Sequence, residues 1–420
     1  MKRFEKIAPE QHRKIVKAAQ MIALAGVAIA LAGAFILINR GSGGRKSAPS
    51  ALSDDSSAAR GGNESGTSAP PPEDISGYAS HTFAENSPAA AESASESGAG
   101  PKSDSVKHGW VINDYGYTYV YGNSGYEQFN YKPTALIRYV NSLNALAGLV
   151  PESARMFNII APVSCTFADI PREIYTADGF YNAAQGDFVK AAGAKLDDRI
   201  TNIDVIPSVK SLYDAGDAVF YRTDRNWTSE AAYAAYADYC AAAGLHRYSA
   251  NSFPKNEAGE FLGSFYKATE NEDMKNSPDS LVCYCPIPAL SAKLTVYSGD
   301  AVYDCFSPGR NAFPKTDGET VYFGIKAGRY SISTSAGNGK KLLIIGDSSS
   351  YPLAMLLSAH YSLVEVIEPK YFKRPFEQYL TNSGFDDILT VCYSTSAVNG
   401  DYVPVFNIMT GVTKNEKNTD

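Results

Sequence analysis

The stretch that decides the fold is KLLIIGDS, from Lys341 to Ser348. Its short apolar run predicts a buried strand over Lys341–Gly346, and a helix is predicted directly behind it over Ser350–Ala359. The polar tripeptide Gly-Asp-Ser then lies at the carboxyl end of the strand, which is where open α/β sheets place their ligands. The Ser348 hydroxyl is therefore a candidate nucleophile, with backbone amides at the start of the helix as candidate oxyanion donors.

The same tripeptide also has a purely structural interpretation. Asp347 or Ser348 could cap the following helix by accepting hydrogen bonds from its free amides. Taken by itself, a Gly-Asp-Ser sequence favours this capping role over a catalytic one.

A second junction of this kind lies earlier in the chain. Residues 219–229 read VFYRTDRNWTS, and the pattern predicts a strand over Asp217–Thr223 followed by a helix over Thr228–Ala243. Thr228 is a suitable N-cap for that helix, and Trp227 is by itself best explained as a core anchor. Two polar junctions at strand ends are a more specific signal of a site than either one alone.

The chain beyond residue 107 alternates short apolar runs with longer amphipathic stretches, which predicts an α/β sheet with helices on both faces. Residues 294–335 read instead as β-hairpins, with turns at Gly299-Asp300 and Asp317-Gly318, and are expected to form an insertion in the α/β core. The other predicted elements are the strands Phe157–Ser164, Leu363–Glu368 and Ile388–Tyr393 and the helix Thr134–Leu149.

The N-terminal part predicts a membrane anchor. Residues 18–38 form an apolar run of 21 residues with Gln20 as the one strongly polar side chain, and as a helix they would extend about 31 Å. Six cations precede this run and three follow it. Residues 1–17 are therefore expected in the cytoplasm, and the chain after residue 38 is expected outside it. A cleaved signal peptide is the alternative, but its apolar region is usually shorter.

Composition divides the exported part in two. Residues 39–107 are rich in Ser, Ala, Gly, Pro and Glu, which predicts a disordered tether because such a segment buries too little apolar surface to fold. Residues 108–420 hold 27 of the 28 tyrosines and are long enough for one large domain. The formal net charge of −7 argues against nucleic acid as a partner.

Several kinds of site are not indicated. The five histidines are not clustered, and no glycine-rich phosphate loop follows a strand, so we expect no metal and no cofactor. The six cysteines are too sparse for a disulfide scaffold; one or two disulfides are possible, but buried free thiols are the simpler expectation.

Taken together, the two junctions resemble the DHHW proteins, relatives of the SGNH-hydrolase-like proteins that act in O-acetylation of alginate and other exported polysaccharides. In those relatives an Asp-x-His-Trp element precedes the Gly-Asp-Ser element, and here Asp224-Arg-Asn-Trp227 precedes Gly346-Asp-Ser348. Further likenesses, within a resemblance that covers roughly Gly109 to Asn399, are Gly263-Ser-Phe-Tyr-Lys267, Ala359-His-Tyr361 and Val364-Glu-Val-Ile-Glu-Pro-Lys-Tyr371. The resemblance implies an SGNH-hydrolase-like sheet, preceded here by one transmembrane helix.

The resemblance also implies roles for individual residues. Ser348 takes the position of the acyl-accepting nucleophile and Asp224 that of the acid that orients the triad histidine. Asn226 occupies the position of that histidine, and an amide cannot take the serine proton. The family usually has Tyr directly after the serine, whereas this chain has Ser349, with Tyr351 two residues further on. Trp227, Asp347 and Tyr351 are the expected binding residues around this centre.

These features support three hypotheses. The first is a surface protein that keeps the cleft to bind or organise an envelope polysaccharide, with little or no acyl transfer. The second is an active O-acetyltransferase or acetylesterase that uses Ser348, with His108 or a partner protein supplying the base. The third is a structural subunit of an envelope polysaccharide complex, for which a membrane acyl-transfer or export protein is the candidate partner.

Overall fold

The computed structural model describes residues 107–113, 116–336, 338–398 and 402–411. The predicted cytoplasmic tail (1–17), membrane helix (18–38) and all but the last residue of the predicted tether (39–107) lie outside these residues. None of the helices within them is long and apolar enough to cross a bilayer. The boundaries between those segments and the domain therefore stay predictions.

The described part of the chain contains a central eight-stranded sheet in the order β5-β4-β13-β11-β12-β10-β8-β9. The strands from β5 to β12 in that order are parallel, and the last three pair antiparallel. Its members are β4 (Arg155–Ala161), β5 (Ile200–Ile203), β8 (Lys293–Ser298), β9 (Ala301–Tyr303), β10 (Arg329–Ser333), β11 (Lys341–Gly346), β12 (Leu363–Ile367) and β13 (Asp387–Tyr393).

Two small antiparallel sheets accompany it. One contains β1 (His108–Asn113), β2 (Gly116–Tyr121) and β3 (Ser124–Tyr126), and the other pairs β6 (Lys255–Phe261) with β7 (Asp279–Tyr284). The α-helices are α1 (Pro133–Leu149), α2 (Arg172–Ala177), α3 (Gln185–Gly193), α4 (Ile206–Asp214), α5 (Ser229–Ala243), α6 (Ser264–Thr269), α7 (Glu272–Lys275), α8 (Thr320–Phe323), α9 (Ser350–Leu357), α10 (Phe376–Ser383), α11 (Ser394–Val398) and α12 (Tyr402–Thr410).

Helices cover the centre of the large sheet. Every residue of β13 is buried, and so are all residues of β11 after Lys341, as expected for parallel strands that are covered on both faces. One group of helices packs together around α5, α9 and α4, and another around α1, α3, α11 and α12. This arrangement confirms the predicted α/β fold with a central sheet and helices.

Most predicted elements are present within a few residues of their predicted ends. The strand Lys341–Gly346 matches β11 at both ends, and Thr228 is the N-cap of α5, where its hydroxyl accepts a hydrogen bond from the Ala231 amide. The predicted strand Asp217–Thr223 is wrong. This segment turns back on itself, and one isolated bridge joins Phe220 to Trp227.

The predicted insertion over residues 294–335 is also wrong in its placement. The turn at Gly299-Asp300 does join a hairpin, β8 and β9, but β8 pairs with β10, and β10 pairs with β12. These strands therefore continue the central sheet rather than forming a unit inserted into it. Asp317-Gly318 turns into the short helix α8 and joins no hairpin.

All six cysteines lie in the described residues, and none is in a disulfide. Cys305 is exposed, and the other five are buried. The structure thus agrees with the expectation of buried free thiols for all but Cys305.

An ion pair with one buried and one exposed partner joins the amino ends of two neighbouring strands. Asp387 at the start of β13 is 1% exposed, and its two carboxylate oxygens accept hydrogen bonds of 2.7 and 2.8 Å from Nε and Nη2 of Arg155 on β4. The Tyr361 hydroxyl donates a further bond of 2.6 Å to Asp387. Such a pair is costly to break from one side, because a buried charge is left behind.

Replacing Arg155 with Met should therefore lower the free energy of unfolding by about 2 kcal/mol. This is less than the roughly 3 to 5 kcal/mol for a fully buried pair, because the Arg155 side chain is 45% exposed and Tyr361 still contacts Asp387. Urea unfolding would measure it. Lys210→Met is the matched control, since Lys210 pairs with Asp214 on the exposed surface of α4 and should cost less than about 0.5 kcal/mol. Equal effects of the two substitutions would contradict the structural role of the pair with buried Asp387.

Candidate active site

The candidate site lies at the carboxyl edge of the central sheet, where β11 and β13 end side by side. Gly346, the last residue of β11, pairs with Val391 of β13. A Cβ atom on Gly346 would lie 2.5 Å from the Val391 carbonyl oxygen, so this close approach requires glycine. The strand pairing brings Ser348, two residues beyond β11, to the same edge as Tyr393, the last residue of β13.

Asp224 and Asn226 reach this edge on the loop formed by residues 219–228, which we call the acid loop. Two backbone hydrogen bonds close its base, from the Tyr221 amide to the Asn226 carbonyl (3.3 Å) and from the Thr228 amide to the Val219 carbonyl (3.0 Å). Other segments satisfy further backbone groups of the loop: the Gly125 amide of β3 donates to the Arg222 carbonyl and the Phe265 amide to the Thr223 carbonyl, both at 2.9 Å.

Trp227 attaches the acid loop to the sheet edge. Its amide donates to the Tyr393 hydroxyl (3.0 Å), and its indole Nε1 donates to the Ser349 carbonyl (3.2 Å). The Trp227 and Tyr393 rings also meet edge to face, with centroids 6.2 Å apart. Trp227 is 1% exposed, so it serves as the expected core anchor while its side chain also forms part of the cavity wall.

A neighbouring segment fixes the Asp224 carboxylate. The Ser264 amide donates to Asp224 Oδ2 at 2.6 Å, and a Cβ atom on Gly263 would lie 2.2 to 2.5 Å from the Asp224 side chain. Only glycine permits this approach, which gives a physical reason for the Gly263-Ser264 part of the family likeness. Asp279 also holds the acid loop in place, because its Oδ2 accepts hydrogen bonds from both the amide (2.8 Å) and the hydroxyl (2.7 Å) of Thr223.

Three predicted residues are joined by hydrogen bonds in a row. The Ser348 hydroxyl donates to Asn226 Oδ1 at 2.9 Å, and Asn226 Nδ2 donates to Asp224 Oδ1 at 2.6 Å. The order serine, middle residue, acid is that of a nucleophile, base and orienting carboxylate. The structure thus brings Ser348, Asn226 and Asp224 together, with an amide where a triad has an imidazole.

Two further residues complete the surroundings of Asn226. The Tyr393 hydroxyl donates to Asn226 Oδ1 at 3.1 Å, and Asn226 Nδ2 lies 3.4 Å from Glu319 Oε1. The amide oxygen therefore faces two hydroxyls and the amide nitrogen faces two carboxylates. Each half of the amide has partners of the required kind, which fixes its orientation.

Burial acts on the ionisation of Asp224. It raises the pKa of Asp224, and the donated bonds from the Ser264 and Asn226 amides oppose that rise. Glu319 has a counter-ion instead, since Lys326 Nζ lies 3.0 Å from its Oε2. An imidazolium at position 226 would find two carboxylates beside it, whereas a neutral amide offers them only hydrogen bonds.

Asp347 and Tyr351, expected as binding residues, contact other protein groups and do not line the cavity beside Ser348. Asp347 Oδ2 accepts bonds from the Tyr393 amide (3.0 Å) and the Ser396 hydroxyl (2.7 Å), and its Oδ1 accepts from Ser349. Tyr351 is 2% exposed, and its hydroxyl donates to Glu368.

The expected oxyanion donors are also engaged. The Ser349 amide donates to Asp347 Oδ1 (3.0 Å), the Ser350 amide to the Asp347 carbonyl (3.0 Å) and the Tyr351 amide to the Ser348 carbonyl (3.2 Å). The Asp347 side chain thus bonds to the amide just before α9, but the N-cap position, Ser349, carries no side-chain cap bond, so the predicted side-chain cap by Asp347 or Ser348 is not formed. An oxyanion at Ser348 would have to compete with these bonds for the same amides.

A cavity of about 20 Å³ lies beside Ser348, which is room for about one water molecule. Its polar members are Asp224, Asn226, Glu319 and Ser348, and most of the rest of its wall is apolar: Tyr221, Trp227, Phe261, Leu281, Tyr322 and Pro352. No histidine is among the described residues that line it.

The histidines that could have served as a base have other partners. His108 Nδ1 lies 2.6 Å from Asp178 Oδ2, and His360 is 8% exposed and bonded to the Tyr236 hydroxyl at 2.8 Å. Burial lowers the pKa of His360 to about 4. The described residues contain no group of three metal-ligating side chains, and the expected absence of a metal stays a prediction.

Sequence reasoning missed four contributors to the site. Tyr393 could have been found, because the predicted strand Ile388–Tyr393 ends at the same sheet edge as Lys341–Gly346. Glu319, Asp279 and the contact made by Gly263 depend on long-range packing, with Glu319 separated from Asn226 by 93 residues and Asp279 from Thr223 by 56. No local pattern marks Glu319 or Asp279, and the likeness at Gly263-Ser-Phe-Tyr-Lys267 does not show which residue Gly263 contacts.

Comparison with solved structures gives matches over most of the chain. A DHHW family protein from Eubacterium siraeum DSM 15702 shares 22% identity over 71% of this chain and 97% of its own, with a TM-score of 0.62. Bacillus cereus PatB1, solved with a sulfonyl adduct, shares 13% identity over 71% of this chain and 98% of its own, with a TM-score of 0.56. At these identities the likeness establishes the fold alone. Comparison with curated proteins gives no match.

The model of the DHHW protein family matches residues 96–367, which include the acid loop, the Gly263-Ser264 contact and the Gly346-Asp-Ser348 element. The match covers more than half of the chain and confirms the resemblance drawn from the two junctions. The protein therefore belongs to the DHHW family.

Proposed function

We propose that this protein is held in the cell membrane by residues 18–38 and uses its SGNH-like cleft outside the cytoplasm to bind or organise an envelope polysaccharide, with little or no acyl transfer. One observation carries the proposal. Asn226 stands between Ser348 and Asp224, hydrogen-bonded to both at 2.9 and 2.6 Å, where a hydrolytic triad needs a general base.

The Asn226 amide explains both why the hydrogen-bonded row stays in place and why we expect Ser348 to be unreactive. Its oxygen accepts the Ser348 proton in a hydrogen bond, but an amide has no useful pKa near neutrality and cannot remove that proton. The surrounding contacts from Tyr393, Ser264 and Trp227 keep the row in place without an imidazole. The row therefore stays assembled without its base, so the loss of acyl transfer need not disturb the surface around it.

The second candidate function is an O-acetyltransferase or acetylesterase that works through Ser348. The observation in its favour is the orientation of the Ser348 hydroxyl toward Asn226, with Asp224 in the orienting position behind it. A structural subunit of an envelope polysaccharide complex, next to a membrane acyl-transfer or export protein, is a further candidate that rests on family likeness and the predicted anchor.

Ester hydrolysis separates these functions. With p-nitrophenyl acetate, the full-length protein should turn over no faster than its Ser348→Ala variant, because the base is missing. Asn226→His should raise the rate by about 100-fold or more, because a positioned base contributes about 10²- to 10⁴-fold and the adjacent cavity gives the ring room. Initial rates across pH 5 to 9 would measure both effects.

The control for this assay is Asp224→Asn placed in the Asn226→His background. It should remove most of the gain, because a carboxylate is needed to hold the imidazole in the productive tautomer. Native turnover that disappears in Ser348→Ala would instead make the protein a working enzyme and contradict the proposed binding role.

The proposed location can be tested with the one exposed thiol. Cys305 is exposed while the other five cysteines are buried, so a membrane-impermeant maleimide should label this position from outside. In cells stripped of their wall but with an intact cell membrane we expect labelling of the native protein and none of Cys305→Ser, measured by a mass-tag shift on a gel. Labelling that needs lysis would place the domain in the cytoplasm and contradict the proposed topology.

A further inference from the structure

A second, larger cavity lies next to the acid loop. It measures about 490 Å³, within the range of about 300 to 1,000 Å³ that is typical of ligand sites. Residues Val219 to Arg222 and Thr228, all in the acid loop, are among those that line it. We call this cavity the aromatic groove. Tyr221 lines both the groove and the small cavity at Ser348, so one loop separates the two.

Aromatic side chains form much of the groove surface. The Phe167 ring lies 5.3 Å from the Tyr213 ring and 6.0 Å from the Phe220 ring, measured between centroids, and Tyr126 also lines the groove. Tyr213 is 38% exposed, and Phe167 and Phe220 are half-buried. Half-exposed rings of this kind offer apolar faces for stacking, and the tyrosine hydroxyl can hydrogen-bond at the edge.

The rim of the groove is polar and carries no unpaired cation among its lining residues. Arg222 Nε lies 3.3 Å from Asp279 Oδ1, so its charge is matched, and Asp217 adds an exposed carboxylate. The hydroxyls of Ser124 and Ser280 contribute further donors and acceptors. A polyanion would meet net negative charge here, whereas a neutral chain rich in hydroxyl groups would find both stacking faces and hydrogen-bonding partners.

We propose that the aromatic groove is the subsite for a neutral polysaccharide chain. The pyranose rings of the chain stack on Tyr213 and Phe167, and the chain runs along the acid loop, which separates it from the small cavity at Ser348. The inference rests on the proposed polysaccharide-binding function and names the chemical class of the glycan and where it binds. It separates recognition, in the groove, from the hydrogen-bonded row of Ser348, Asn226 and Asp224.

Native gel electrophoresis through immobilised polysaccharide tests this. Full-length protein, kept in a polyoxyethylene detergent because sugar-based detergents would compete, is run in gels that contain dextran, hydroxyethylcellulose, alginate or no polysaccharide. We expect retardation in at least one of the two neutral gels. Tyr213→Ala should weaken the apparent affinity about five- to tenfold, because it removes one stacking ring, and Tyr213→Phe should retain it.

Tyr181→Ala is the matched control, since Tyr181 is 63% exposed and does not line the groove. It should migrate like the native protein in every gel. Equal retardation of Tyr213→Ala and native protein would overturn the groove as the subsite while leaving the proposed function intact, and retardation by alginate alone would overturn the choice of a neutral chain. No retardation of the native protein in any polysaccharide gel would contradict the proposed function itself, and the groove assignment with it.

Discussion

The attachment of the acid loop by Trp227 is the interaction on which the candidate site depends. The loop belongs to no sheet, yet Asp224 and Asn226 must meet Ser348, which is fixed at the end of a central strand. Trp227 makes that meeting possible through its two hydrogen bonds to Tyr393 and Ser349 at the sheet edge. Because the indole is 1% exposed, its bonds are protected from competing water, and each would be costly to leave unmade.

Asn226 shows how a cleft can keep its shape after losing its chemistry. In a triad the imidazole both donates to the carboxylate and accepts from the serine, and a primary amide reproduces that pair of hydrogen bonds with its nitrogen and its oxygen. The geometry therefore survives while the proton acceptor is gone. Burial raises the pKa of Asp224, and no imidazolium stands beside this carboxylate to stabilise its charge.

The sequence predicted the parts of the fold and of the site that depend on local patterns. The strand Lys341–Gly346 and the helix after Thr228 were predictable because burial on both faces and a capping hydroxyl leave signals within a few residues. The strand predicted over Asp217–Thr223 was wrong because the backbone of this segment bonds partly within the acid loop and partly to separate residues, Gly125 and Phe265, rather than along one neighbouring strand. Partners brought by distant segments, such as Glu319 and Asp279, and the continuation of the sheet through β8 and β10 follow from tertiary packing and leave no local signal.

The central claim is that Ser348 is hydrogen-bonded in a row with Asn226 and Asp224 but is not activated as a nucleophile. The most direct test is the reactivity of Ser348 toward a sulfonyl fluoride, followed by intact-protein mass. Sulfonylation requires removal of the serine proton, so it reports the missing base independently of substrate recognition. We predict that the native full-length protein stays unmodified under conditions in which Asn226→His gains one adduct that peptide mapping places on Ser348. Rapid single-adduct formation at Ser348 in the native protein would contradict the claim and show that this serine is activated without a histidine.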